Sequence, residues 1–370
     1  MPHSQRKGRI FYGAQHWLAC RFPFPGGYGT GHCPGRCCAM QGKECDIMSK
    51  TTNFSLRLSG RSVIGDTLHE IGAADSRLFV CTPDIGGALK SFRDDFPERY
   101  IDTGITEQNV IGLAAGLALE GNIPVVMGMI PFLSMRACEQ VRTDVCYQNL
   151  PVRIIGTGGG LTSGGGSTHN AMEDISIMKT FVNMTVLSIG DPNLIRDALY
   201  IGMEYPGPMY IRLAQGKSDT VIYEKGSVSL SIGKGIVARD GRDLTIFVHG
   251  ELIVDALSAA RMLEEQGIQA RVVDMVSIKP LDDELVLRCI KETQNILVLE
   301  DHLMYGGLAS SIADLICDRQ VFPRQFRRMG IPQVYAGFGS GPQLREKYHY
   351  DSRSCFQAAL EMVKGPDGAN

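Results

Sequence analysis

From about residue 54 onward the chain repeats one arrangement. A short, uninterrupted run of Val, Ile and Leu is followed by a turn and then by an amphipathic helical stretch. Runs without polar alternation, each separated from the next by a helix, predict a parallel sheet covered on both faces. The expected strands cover 78–81, 124–129, 151–157, 184–189 and 208–213. Helices are expected over 61–71, 107–119, 136–148, 173–181 and 191–204. Residues 215–236 break this rhythm with Gly216, Lys217, Ser218 and Asp219 and read as a linker with a short hairpin. A second block begins at Leu244, with strands over 244–248, 270–275 and 296–300. Its helices are expected over 253–266, with Gly267 as C-cap, from 280–283 onward, with acids in the first turn where the helix dipole favours them, and over 306–318. The architecture expected is α/β, two doubly wound domains in series. Their bounds are 53–225 and 243–365, with 226–242 as linker.

At 370 residues the chain has room for two domains with sizeable cores. A net charge of −3 gives no electrostatic case for nucleic acid or an anionic membrane. No window supplies the roughly 20 apolar residues of a spanning helix. Of eleven cysteines, Cys20, Cys33, Cys37, Cys38 and Cys45 crowd the start. The others are scattered singly, which predicts reduced thiols and a cytoplasmic setting. Residues 1–52 are rich in Gly, Pro, Arg and Cys without an apolar period, and read as a disordered extension. Within them His32-Cys33-Pro34-Gly35-Arg36-Cys37-Cys38 lacks the second half of a zinc site, so no metal is expected there. Met48 would open a conventional polar lead-in.

The chemistry concentrates at Arg99-Tyr100-Ile101-Asp102-Thr103-Gly104-Ile105-Thr106-Glu107-Gln108-Asn109. This segment places one carboxylate, Glu107, at the mouth of a buried helix just after a strand. Thr106 is expected to cap that helix. Gly112 and Gly116 lie one turn apart. Glycine in a helix interior costs about 0.5–1 kcal/mol relative to alanine, so the pair implies a closely approaching neighbour. On these residues alone, Glu107 is either a chemical group or an ordinary first-turn acid.

The segment resembles the cofactor-activating segment of transketolases, and the resemblance runs from about residue 57 to 363. It implies the pyrimidine-binding and C-terminal domains of that family, with thiamine diphosphate as cofactor. By the resemblance Glu107 contacts the aminopyrimidine ring of the cofactor. The block Phe132-Leu133-Ser134-Met135-Arg136-Ala137-Cys138-Glu139-Gln140-Val141-Arg142 is similar to the one whose aromatic residues wrap that ring. It implies that Phe132 packs on the ring, with Met129 in place of the family's preceding aromatic. The block Ser167-Thr168-His169-Asn170-Ala171-Met172-Glu173-Asp174 resembles the one that brings a histidine, here His169, to the substrate hydroxyls. Arg61 matches an upstream family arginine. Arg212, ending a strand at the sheet's carboxyl edge, carries a planar fork suited to a phosphate. Two family residues are missing: Thr157 stands where a further His is common, and Gly165 where an Asp is common. Both changes point away from the ordinary pentose phosphates and toward a specialised ketose or ketose phosphate.

The C-terminal block with Lys279-Pro280-Leu281-Asp282 and Glu300-Asp301-His302 fits a domain that supports a subunit interface. His302 is expected to be structural, and His249 receives no role. The Gly-Asp-Gly motif and downstream Asn that hold the diphosphate through a metal are not found. The resemblance therefore implies the C-terminal half of a split transketolase, the second of its two kinds of polypeptide. A separate transketolase N-terminal-half subunit would carry the diphosphate and its Mg2+ or Ca2+, in an α2β2 assembly. The implied activity is transfer of a two-carbon ketol unit. The β subunit of a 2-oxo-acid dehydrogenase shares both domains and is the first alternative, although the His169 block and residues 182–191 look more like transketolase. A non-catalytic regulatory or scaffold role is the second, against which the retained Glu107 and Phe132 speak.

Overall fold

The structure is a computed structural model that describes residues 56–162, 165–214 and 219–365. The expected extension over 1–52 and its His/Cys cluster lie outside the described residues. Fourteen strands are present among the described residues: β1 (Arg57–Leu58), β2 (Leu78–Thr82), β3 (Tyr100–Asp102), β4 (Ile123–Met129), β5 (Arg153–Thr157), β6 (Thr185–Ser188), β7 (Met209–Arg212), β8 (Asp219–Thr220), β9 (Ile236–Arg239), β10 (Leu244–Val248), β11 (Ala270–Asp274), β12 (Ser277–Lys279), β13 (Asn295–Leu303) and β14 (Gln325–Ile331). The helices that matter for the site and its support are α1 (Gly60–Ala74), α2 (Glu107–Leu119), α3 (Asp174–Thr180), α4 (Pro192–Glu204), α5 (Ile253–Glu265), α6 (Asp283–Thr293) and α7 (Leu308–Arg319).

One sheet has seven strands in the order β12-β6-β7-β5-β4-β2-β3, and a second has five in the order β14-β13-β10-β11-β9. The continuous apolar runs pair in parallel: β2 with β3 and β4, β4 with β5, β5 with β7, and β7 with β6. Val80, Val125, Val126, Ile154, Ile155 and Ile211 are all buried, as strands covered on both faces require. The second sheet repeats the pattern with β10 flanked in parallel by β11 and β13.

Each sheet also has an antiparallel edge. β9 runs antiparallel to β11, and β12 runs antiparallel to β6. The β12 pairing is the main departure from two self-contained domains in series, because a strand that follows β11 in the chain completes the first sheet. The expected hairpin within 215–236 is replaced by a long-range pair, β1 with β8. The expected helix over 136–148 is broken into wide turns at Phe132–Arg136 and Val141–Cys146 around a short helix at Cys138–Gln140.

Local capping follows the sequence in several places. Gly267 has φ +76°, the left-handed geometry that glycine tolerates just past the end of α5. The Asp282 side chain accepts from the Leu285 amide and caps α6. At α2 the expectation fails. The Thr106 hydroxyl makes no cap hydrogen bond and donates instead to the Thr103 carbonyl at 3.1 Å. Gly112 and Gly116 are not approached by other parts of the described chain either. A side-chain carbon at Gly116 would meet nothing within 4 Å, and one at Gly112 would meet only the Asp144 carboxylate, at 3.7 Å.

Two buried ionisable side chains shape the scaffold. Arg153 gives its guanidinium to the carbonyls of Gly202, Tyr205 and Gly207, closing the end of α4, and burial pulls its pKa down to about 10. Asp274 accepts from the Tyr223 hydroxyl at 3.1 Å, while its other oxygen has no partner. Burial, with Asp191 nearby, pushes this carboxyl from 3.8 up to about 8. The native state thus keeps a proton that the unfolded chain releases. Stability linked to that proton is full below about pH 4 and is lost as pH climbs through about 8. Asp274→Asn carries no such slope. Urea unfolding from pH 4 to 8 should show the variant gaining steadily on wild type, by about 2 kcal/mol or more at the upper end.

Candidate active site

The carboxyl ends of the central strands gather the candidate residues, as open α/β sheets do where strand order reverses. Strand β3 feeds α2, whose first residue is Glu107. Strand β4 ends at Met129, in register with Thr157 at the end of β5. Phe132 opens the wide turn after β4, and His169 sits in a short 3-10 turn after β5.

Contacts through Arg136 join three of these side chains in a row. Glu107 is 3% exposed, and its Oε2 accepts from Arg136 Nη1 at 2.6 Å. The Arg136 guanidinium lies over the Phe132 ring, 4.3 Å from its centroid. The Phe132 ring meets the His169 imidazole edge to face at 5.1 Å. The Thr168 hydroxyl sits 2.9 Å from His169 Nδ1. A planar group bearing N–H donors thus already spans the carboxylate and the aromatic ring. The Glu107 carboxylate and the Phe132 ring thus hold one flat, hydrogen-bonding group between them, and these residues fit the aminopyrimidine of thiamine diphosphate.

Arg136 lies within the Phe132 block but has no role expected from sequence. Its signal is its place four residues after Phe132, which brings an arginine back over the ring within one wide turn.

Arg61 stands on α1 and donates to the Thr157 hydroxyl at 3.2 Å. Its Nε–H is buried without a hydrogen-bond partner. Burial lowers its pKa, against the pull of Asp219. It lines a cleft of about 450 Å³ with Asp84, Gly86, Gly87, Arg93 and Tyr100. An arginine with an orphaned donor on such a cleft can take an anionic group.

Arg212 does not behave as expected. It ends β7 at the carboxyl edge, but its guanidinium is 3% exposed and points into the protein. Nε donates to Asp174 Oδ2 at 2.9 Å and Nη2 to the Asp301 carbonyl at 2.8 Å. Burial works against its charge, and the carboxylates of Asp174 and Asp301 outweigh that and raise its pKa. A guanidinium so enclosed neutralises a buried acid rather than offering a fork to a phosphate.

The two histidines of the C-terminal block are also internal. His249 Nδ1 lies 2.8 Å from the Ser188 hydroxyl, and burial holds the ring below the ordinary imidazole pKa. His302 is shared between Ser176 and the Leu303 carbonyl. His249 links the end of β10 to β6, and His302 links β13 to α3. No group of three or more His, Cys, Asp or Glu side chains among the described residues could hold a metal ion.

Comparison with known proteins bears on the family. The family model for the transketolase pyrimidine-binding domain matches residues 57–219, and that for the transketolase C-terminal domain matches 233–355. A putative transketolase C-terminal section from Methanocaldococcus jannaschii is 35% identical over 317 residues, covering 84% of this chain and 99% of that protein. One of the subunits of an apulose-4-phosphate transketolase, from Phocaeicola vulgatus, is 34% identical over 307 residues, 82% of this chain and 97% of that protein. A solved structure described as a split gene transketolase, inactive β4 tetramer, superposes with a TM-score of 0.74 at 33% identity, covering 83% of this chain and 98% of that one. With both domain models matched in order and relatives aligned over nearly their full length, the chain belongs to the transketolase family.

Proposed function

We propose that this chain is the pyrimidine-holding half of a thiamine-diphosphate-dependent transketolase. It moves a two-carbon ketol unit between sugars or sugar phosphates once joined to a second polypeptide that carries the diphosphate and its Mg2+ or Ca2+. The observation that carries this reading is the buried Glu107 carboxylate at the start of α2, linked through one planar cation to the Phe132 ring. Thiamine diphosphate, when bound, supplies the nucleophilic carbon for ketol transfer. Glu107 holds a proton at the pyrimidine ring nitrogen. Phe132 and Met129 pack on the ring and keep water from it. With Nδ1 held by Thr168, His169 Nε2 serves a substrate hydroxyl, and Arg61 takes the anionic end in its cleft.

The relatives named as a C-terminal section and as one subunit of a transketolase support a two-polypeptide enzyme, with α2β2 the simplest symmetric form. The open glycine face of α2 supports approach by another polypeptide there. The relative named for apulose-4-phosphate supports a ketose phosphate outside the ordinary pentose series, in line with Thr157 and Gly165. The six cysteines among the described residues are all unbridged, which supports a reducing, cytoplasmic setting. No helix among the described residues is long and apolar enough to cross a membrane.

The test is to purify the chain with a neighbouring gene product bearing Gly-Asp-Gly and to assay ketol transfer across ketoses and ketose phosphates. Turnover is expected from the pair with thiamine diphosphate and a divalent metal, and none from the chain alone. Full turnover by the chain alone, or productive coupling of the pair to a lipoyl domain, would overturn the reading.

A further inference from the structure

The loop that carries His169 is anchored by the C-terminal domain as well as by its own. Its two arms meet at one antiparallel bridge, Gly160 with Ala171, through amide–carbonyl bonds of 2.8 and 3.0 Å. The end of β13 docks along both arms. On the first arm, Asp301 Oδ1 accepts from the Leu161 amide at 3.2 Å and from the Tyr350 hydroxyl at 3.0 Å. On the second, the Leu303 amide donates to the Met172 carbonyl at 3.0 Å, and His302 meets Ser176. Arg212 ties the second arm to β13, because its Nη2 donates to the Asp301 carbonyl at 2.8 Å and reaches the Ala171 carbonyl at 3.5 Å.

The fit at the neck is close. Gly160 has φ +66°, and the Asp301 carboxyl occupies the place where a side-chain carbon would stand, 2.0 Å away. Only glycine lets the acid approach this near. At the loop's other end, a side-chain carbon at Gly166 would meet the Phe338 ring at 2.9 Å. Phe338 belongs to the C-terminal domain and is otherwise exposed.

Resting on the functional reading above, we infer that Asp301, held by Tyr350, is the positioning residue for the His169 loop. The C-terminal domain thereby sets where His169 meets the substrate. Asp301 is buried, and its hydrogen bonds go to the loop, Tyr350 and Arg212 rather than to Glu107, Phe132 or Met129. Its loss should therefore reach substrate binding without reaching the cofactor.

Two variants test this, Asp301→Ala and the milder Tyr350→Phe, which removes a single hydroxyl and keeps the packing. In the purified chain, amide hydrogen exchange over 161–171 should quicken about tenfold in Asp301→Ala, the size of one lost hydrogen bond to the loop, while β4 and β5 keep their protection. In the assembled enzyme, KM for the ketose should rise about tenfold, with thiamine diphosphate affinity within about twofold of wild type. Tyr350→Phe should move both readouts the same way by less. Asp301→Asn, which keeps an acceptor for the Leu161 amide, should restore most of both. Unchanged exchange over 161–171 in both variants would overturn the inference. So would a faster-exchanging loop with an unchanged KM, or a joint loss of cofactor affinity and of protection in β4 and β5. If the wild-type pair transfers no ketol group, the functional reading fails by that result and the Asp301 role in the reaction falls with it. The exchange result then decides only whether Asp301 clamps the loop.

Discussion

Glu107→Ala in the assembled enzyme should lower kcat for ketol transfer by about 10³-fold, within the range that a positioned acid or base supplies. Its thermal midpoint should stay close to that of wild type. Both halves follow from the environment of one side chain. The carboxylate is 3% exposed at the first position of α2, and its hydrogen bond to a protein side chain comes from Arg136. Arg136 itself is 43% exposed, so losing the acid lets the guanidinium turn to water. The scaffold forfeits mainly a first-turn dipole interaction, about 0.3–1 kcal/mol. It also sheds the cost of burying a charge, which offsets part of that. An acid kept only for the helix dipole would show the reverse pattern, a lowered midpoint with turnover intact. Glu107→Gln separates size from proton handling. It preserves volume and one acceptor, yet should remain within about tenfold of the alanine variant if the carboxyl proton is what matters. Near wild-type turnover in Glu107→Ala would end the assignment.

Much of this arrangement can be read in the chain, and what cannot has a common cause. The parallel strands announce themselves because burial on both faces forces unbroken apolar runs, as in Val125-Val126-Met127 and Ile154-Ile155. Glu107 is picked out by its place just past a strand, and Phe132 and His169 by family resemblance; contacts through Arg136 then bring the three side chains together. Arg61 is legible by family resemblance, and the structure gives it an orphaned donor on a cleft. The features missed are long-range pairings. The three-residue strand β12 joins β6 across some 90 residues of chain, and no local period announces it. Asp301 meets Leu161 across 140 residues. Thr106 has the composition of a cap, but its hydroxyl finds the Thr103 carbonyl first, a competition that propensity alone does not decide. Arg212 stands at the strand end that the sequence implies. Its side-chain direction depends on Asp174, an acid 38 residues earlier whose burial the sequence does not declare.

That pair yields the largest stability effect expected in the molecule. Asp174→Ala should cost about 3–5 kcal/mol in urea unfolding, the range for breaking a buried ion pair from one side. Asp174 is fully buried, and its Oδ2 accepts both the Arg212 Nε–H at 2.9 Å and the Tyr210 hydroxyl at 2.7 Å. Removing it strands a guanidinium in the interior and leaves a buried phenol without its acceptor. Removing both charges is a different case. Asp174→Ala with Arg212→Met leaves no uncompensated ion and should recover at least half of the loss, because buried ion pairs rarely outperform apolar packing. The same pair of variants tests the inward role of Arg212 against the phosphate-gripping role its strand-end position suggested. If Arg212 served the substrate, Arg212→Met alone would raise KM strongly and leave unfolding nearly unchanged. The enclosed geometry predicts a destabilised chain, because Asp174 is then the buried charge left alone. Its KM change should be no larger than that produced by loosening the Asp301 carbonyl that Arg212 also holds.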